Sequence, residues 1–186
     1  MAVHPHLYLD TNVILDAHYK RWTPAVTLMQ RIQTEKWKCI TSRLTILEIL
    51  DMEHEQLFID NLLADGHLLS KVRDLLGMRR QEKWELKSRE LNEIYVKLHD
   101  YLTKEFSFVD FKHPLTDSFW NKADDYCSTT NMFFADAMHL ALAVESGCNI
   151  LVTRDQDFRR MADDFILAIL PEGIDTALAK LHKSNP

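Results

Sequence analysis

Leu7-Tyr8-Leu9-Asp10-Thr11-Asn12-Val13-Ile14-Leu15 reads as strand, polar turn and helix in quick succession. The apolar run stops at Asp10, and Thr11 or Asn12 suits the cap of the helix that Val13, Ile14 and Leu15 enter. The same grammar returns late in the chain, where Asn149-Ile150-Leu151-Val152-Thr153 reads as a strand bounded by Arg154-Asp155. Lys38-Cys39-Ile40-Thr41 is a short strand, Phe106, Phe108 and Phe111 flank a third, and Phe165 to Leu170 supplies a fifth. Helices are expected from Trp22 to Arg31, with Pro24 tolerated in the first turn, and through Leu44 to Leu50. Most of Leu57 to Leu102 also reads as helical, with breaks at Gly66 and Gly77. Within it Leu91, Ile94, Tyr95, Leu98, Tyr101 and Leu102 fall three and four apart and predict one buried face. Two more helices cover Asp117 to about Tyr126 and Phe133 to Glu145, the second ended by Gly147. Strands alternating with helices imply an α/β fold, a three-layer α/β/α sandwich around a mostly parallel sheet of about five strands. One domain spanning 1–186 is expected, with a helical insertion at about 55–105.

The composition, 46% hydrophobic and 27% charged over 186 residues, is that of a globular chain able to bury a core, not of a disordered or fibrous one. No apolar run approaches the roughly 18 residues of a membrane helix. Met1-Ala2-Val3-His4-Pro5-His6 has neither a basic start nor an apolar stretch, so no export signal is expected. Cys39, Cys127 and Cys148 are an odd set with no close pair, which argues against a disulfide framework or a cysteine zinc site and suits a reducing cytoplasm.

Chemistry concentrates in the acids. Ligands of open α/β sheets bind beyond the carboxyl ends of the strands, and Asp10 and Asp155 both follow a strand there. Taken singly, each reads as a turn or capping residue; their common edge is what points to function. Glu48 emerges from Leu44-Thr45-Ile46-Leu47-Glu48-Ile49-Leu50, either on a solvent face or as a carboxylate needing a partner. Asp136 sits in the first turn of a helix that is otherwise nearly all apolar, as a buried helix would be. The helix dipole contributes only about 0.3–1 kcal/mol to such a charge, well short of its desolvation cost. With no Lys or Arg within four residues, a metal ion is the better counter-charge. Four converging carboxylates would repel one another, and Mg²⁺ or Mn²⁺ is the hard, oxygen-seeking ion that resolves this. Such ions suit phosphodiester hydrolysis by an activated water.

These segments resemble the PIN domain family in four places. Leu9-Asp10-Thr11-Asn12 is similar to its opening motif, and Thr45 through Glu48 to the segment of its second acid. Ala135-Asp136-Ala137 with His139-Leu140-Ala141 resembles the third, and Leu151-Val152-Thr153-Arg154-Asp155 with Phe158 the fourth. The resemblance covers roughly 7–50 and 106–170. It implies a divalent-metal-dependent endoribonuclease with Asp10, Glu48, Asp136 and Asp155 as catalytic, metal-binding acids. Asn12 and Thr153 would support the site, and Asp157 would supplement Asp155. Small members resemble VapC toxins, ribonucleases held by a cognate antitoxin, although the helical stretch here is longer than in the compact toxins. RNA is the implied substrate, with an antitoxin protein and a second copy of the chain as further partners.

The formal net charge of −6 sits awkwardly with a nucleic-acid substrate, yet Lys71 to Lys104 carries net +3. Arg79, Lys83 and Lys87 are spaced to line one helical face as an RNA track, or to be part of a solvated helix laced with Glu82, Glu85 and Glu90. Trp84 reads as a core anchor, a partner contact or a stacking platform. His139 shares a helix face with Asp136 and reads as a hydrogen-bonded core histidine or a proton relay. Asp16 is either a residue supporting the site or part of the first helix, and His4 and His6 are expected to fray. Two rival functions remain: a non-catalytic scaffold of the same fold binding RNA or protein, and a phosphatase using Asp10 as nucleophile. The second wants another aspartate two residues on, where Asn12 stands.

Overall fold

The computed structural model of the chain describes residues 5–68, 71, 88–113 and 116–184. Five strands, β1 (His6–Leu9), β2 (Lys38–Ser42), β3 (Asp110–Lys112), β4 (Ile150–Val152) and β5 (Leu167–Ile169), form one sheet in the order β3-β2-β1-β4-β5. Every neighbouring pair is parallel. β1 and β4 are buried along their whole length, as parallel strands covered on both faces must be. The fold is the expected three-layer α/β/α sandwich.

Helices α1 (Thr11–His18) and α2 (Thr23–Glu35) link β1 to β2. α5 (Asp117–Thr130) and α6 (Phe134–Glu145) link β3 to β4, and α7 (Gln156–Ala162) links β4 to β5. The crossover from β1 to β2 steps one way along the sheet, and those leading to β4 and β5 step the other way. Right-handed connections therefore place the two sets on opposite faces. The side-chain alternation of the strands agrees. Tyr8, Ile40, Leu151 and Ala168 are register neighbours on one face, packed in a cluster with Phe119 and Ala123 of α5, Leu140 and Ala141 of α6 and Phe158 of α7. Leu7, Leu9, Cys39, Ile150 and Val152 are buried on the other face.

α3 (Leu44–Ala64) and α4 (Ser88–Glu105) lie between β2 and β3 in sequence. The chain divides into two compact units, Met1–Thr45 with Phe106–Pro186, and Ile46–Glu105. In the second unit Ile46, Ile49 and Leu102 are buried. Tyr101, assigned by its spacing to a buried face, is 55% exposed, while Ile94, Tyr95 and Leu98 are half-buried and Leu102 fully so. Periodicity locates the face of a helix but not its margin, and Tyr101 sits there. Gly66 breaks the chain at φ +84°, a conformation that costs a residue without Cβ little. Gly147, at φ +68°, ends α6 as expected.

Other boundaries differ. Asp10, not Thr11 or Asn12, caps α1, its side chain accepting from the Thr11 N–H. His6 does not fray; it is buried in β1, its N–H donating to Asn149 Oδ1 at 2.9 Å. α7 and α8 (Ile174–Ser184) have no counterpart in the sequence reading. α7 spans only two turns, too short for apolar periodicity to show. Among the described residues no helix is long and apolar enough to cross a membrane.

Candidate functional site

The sheet reverses its direction of growth between β1 and β4, and the crevice beyond their carboxyl ends is the natural ligand position of this topology. Leu9 stands opposite Val152, so the next residues out, Asp10 and Thr153, face each other across the two strands. The backbone holds both: Asp10 N–H donates to Val152 O and Thr153 N–H to Ile169 O, each at 3.0 Å.

Asp10 is buried, with 6% of its surface exposed. Its Oδ1 accepts from the Thr11 N–H at 2.7 Å, and its Oδ2 accepts from Asn12 Nδ2 at 2.5 Å and Thr153 Oγ1 at 2.6 Å. Three donors aimed at one carboxylate offset the cost of taking it out of water. Thr153 is fully buried, and its hydroxyl uses its whole capacity. It donates to Asp10 and accepts from Asn12 Nδ2 at 3.2 Å and the Asp155 N–H at 3.0 Å. Asn12 closes the knot by accepting the Arg154 N–H at 2.9 Å, which also fixes the orientation of its amide.

Asp155 lies just beyond this knot, exposed, and caps α7 by accepting from the N–H groups of Asp157 and Phe158. Capping and site membership are thus compatible for both aspartates. Asp157 is exposed in the first turn of α7 and pairs with Arg160 at 3.2 Å. Asp136 is half-buried in the first turn of α6, and Glu48 is half-buried in α3. Glu48 belongs to the second compact unit, Ile46–Glu105, while Thr45 closes the first stretch of the other. Thr45 itself is fully buried, bonded to Thr11 Oγ1 at 3.1 Å and Thr41 Oγ1 at 2.9 Å. His139 is 1% exposed, its Nδ1 bonded to the Tyr8 hydroxyl at 2.6 Å, as a core histidine would be. Arg79, Lys83, Lys87 and Trp84 lie outside the described residues.

Spacing does not reveal the role of Asp16. It is 2% exposed and is held by Arg154 Nη1 at 2.7 Å and Arg21 Nε at 3.3 Å. The Arg154 guanidinium also lies 5.7 Å from the centre of the Trp22 ring. Arg154 stands between Thr153 and Asp155, so this clamp pins the loop that carries the last acid. Its partner is 138 residues away, and no local signal announces it.

The oxygen donors at this edge, carboxylates and hydroxyls, have the hardness that Mg²⁺, Mn²⁺ or Ca²⁺ selects. Among the described residues, no three His, Cys, Asp or Glu side chains form a group that could hold a metal ion as they stand. Thiolate chemistry is remote. Burial pushes the Cys39 thiol well up and that of Cys148 up to about 12, and Cys127 is raised by burial and then by the charges of Asp124 and Asp136.

A family model described as PIN domain matches residues 7–164. Among solved structures, one described as the crystal structure of PAE2754 from Pyrobaculum aerophilum is similar over 97% of this chain and 99% of its own, with 20% identity and a TM-score of 0.46. No curated protein matches.

Proposed function

The chain belongs to the PIN domain family, one of metal-dependent nucleases, and on that premise we propose that it is an endoribonuclease dependent on Mg²⁺ or Mn²⁺. Asp10, Glu48, Asp136 and Asp155 are its metal-binding acids. The observation that carries this reading is the buried Asp10 carboxylate at the switch point, oriented by Asn12 and Thr153. A divalent cation bound by these acids would offset the repulsion between their carboxylates. When bound, the ion lowers the pKa of a water and stabilises charge on the leaving oxygen.

The chain's own residues do the rest. Thr153 and Asn12 keep the Asp10 carboxylate in one orientation, and Thr153 joins it to the backbone at Asp155. Asp16 holds Arg154, and with it the Asp155 loop. Asp157 supplements Asp155 from the next turn. A toxin restrained by an antitoxin, in a cytoplasmic setting, is the narrower form of this reading. The segment at about 55–105 acts as an insertion, and its Arg79, Lys83 and Lys87 contact the RNA backbone. A phosphatase with Asp10 as nucleophile is disfavoured. Asn12 replaces the second acid such chemistry wants, and it donates to the oxygen that would attack.

The test is cleavage of RNA by the purified chain with Mn²⁺ or Mg²⁺. EDTA should abolish it, and Asp10→Asn and Asp136→Asn should each remove it while circular dichroism stays native. Undiminished cleavage by both folded variants would sink the site. Binding of RNA without cleavage in either metal would leave the non-catalytic scaffold.

A further inference from the structure

Helix α1 starts on Asp10, and the turn that ends it builds a second charged cluster beside the acids. Lys20, just past the Tyr19 cap, has φ +53°, a left-handed conformation that a residue with a Cβ adopts only under constraint. The constraint is visible. The Lys20 N–H donates to Ala17 O at 3.2 Å and the Arg21 N–H to Asp16 O at 2.9 Å, the two bonds that close a helix end around a left-handed residue. This turn brings the Arg21 side chain back to α1, where its Nε meets Asp16 Oδ1 at 3.3 Å. The other oxygen of the same carboxylate takes Arg154 Nη1 at 2.7 Å. Each guanidinium also lies over an aromatic ring, Arg21 at 5.4 Å from the centre of Tyr19 and Arg154 at 5.7 Å from that of Trp22.

One arginine is enough to balance one buried carboxylate, and Arg154 does so while holding the Asp155 loop. Arg21 is not on that loop and its backbone is already fixed, so its charge is surplus to the clamp. Lys20, Arg21 and Arg154 against Asp16 leave a local charge of +2 on a chain whose net charge is −6. A guanidinium has five N–H donors; these two use one each on Asp16, and their side chains are 48% and 54% exposed. Donors left over on a rigid fork, held flat against a ring, match the oxygens of a phosphate.

Direct bonds join the pair to the acids. The Arg154 N–H donates to Asn12 Oδ1 at 2.9 Å, and Asn12 Nδ2 donates to the Asp10 carboxylate. We propose that Arg21 and Arg154, seated on Asp16, Tyr19 and Trp22, grip an RNA phosphate next to the one that is cleaved; this rests on the nuclease reading above. Asp10 and Asp155 lie on the other side of Arg154 and repel a phosphate chain, so the positive pair fixes where the strand is held.

The experiment measures binding of a fluorescein-labelled single-stranded RNA dodecamer to the full chain across a series of KCl concentrations. EDTA is present, so that metal-dependent hydrolysis does not interfere. Arg21→Gln should weaken binding about tenfold at low salt and make the slope of log K against log salt shallower by about 0.7, the value of one phosphate contact on a single strand. Arg21→Lys keeps the charge and should keep the slope while losing part of the affinity. Arg21 is half exposed, so these changes leave the fold intact, which circular dichroism checks.

Wild-type affinity and slope in Arg21→Gln would overturn the proposal, as would a wild type that does not bind the dodecamer. A loss of affinity with an unaltered slope would overturn it too, since the arginine would then serve only the architecture. So would a labelled polyglutamate of equal charge that binds as tightly as the RNA and loses as much in Arg21→Gln, because the pair would then recognise an acidic protein. Cleavage with Mn²⁺ is read separately. Arg21-dependent binding without cleavage refutes the nuclease alone, and cleavage with an unaltered slope refutes the phosphate grip alone.

Discussion

Thr153→Val isolates one hydroxyl in a site that is otherwise left intact. The two side chains have nearly the same shape, so no cavity opens, but the change is not conservative because the hydroxyl is lost. Thr153 is fully buried, and its Oγ1 makes three bonds, the strongest being the 2.6 Å donation to the Asp10 carboxylate. A hydrogen bond to a charged group contributes about 1.5–3 kcal/mol. The Asp155 N–H also loses its acceptor, but that residue is exposed and water replaces the bond at little cost. Asn12 Nδ2 keeps Asp10 Oδ2 as an acceptor. The expected loss is therefore about 2–3 kcal/mol, or a fall in Tm of roughly 4–12 °C for a chain of this length. Urea unfolding followed by circular dichroism measures it, and a cycle with Asp10→Asn assigns it to the pair. If the two losses simply add, or Thr153→Val costs less than about 0.5 kcal/mol, the hydroxyl is not holding the acid and the reasoning fails. In calorimetry with Mn²⁺ the same variant should bind about 10–100-fold more weakly, the usual effect of removing a group that orients a ligand.

Asp16→Asn breaks two ion pairs to a carboxylate only 2% exposed, but both arginines are about half in solvent, so the loss should be about 1–2 kcal/mol by urea unfolding. A change below about 0.3 kcal/mol would show the clamp to be idle. His6 has its pKa lowered, by burial first and then by Lys38 and Lys112, against a hydrogen bond to Gly147 O that acts the other way. The unfolded chain therefore binds this proton more readily, and the contribution of His6 to stability falls as pH drops below 6.5 and levels off below the folded pKa. His6→Gln should flatten the pH dependence in that window, and unchanged curves would exclude the assignment. Charge reversal at Arg79 and Lys83 should lower the salt dependence of RNA binding if they meet phosphates; an unaltered slope would remove them from the RNA contact.

The elements of the sheet were legible because each rests on interactions within a few residues. The apolar run up to Leu9, the cap at its end and the repeat of this pattern at Ile150–Val152 are local signals. A parallel α/β sandwich follows from their alternation with helices. α7 escaped because two turns carry no period, and the margins of α4 and α6 escaped because spacing alone does not say how far packing neighbours extend. Phe133 and Phe134 read as core from their company, yet the first turn of α6 stands clear of the buried cluster.

A carboxylate after a strand or within an apolar helix is a visible anomaly, so Asp10, Glu48, Asp136 and Asp155 stand out as candidates one by one, and Asn12 and Thr153 were expected beside them. Which atoms meet is a different matter. That Thr153 grips Asp10 across 143 residues, or that Asp16 is claimed by Arg154 across 138, depends on strand register and on the order β3-β2-β1-β4-β5. Local sequence sets which backbone shape each segment prefers. Only the closing of the chain upon itself decides which side chains meet, because those contacts are selected by packing and desolvation over the whole sheet.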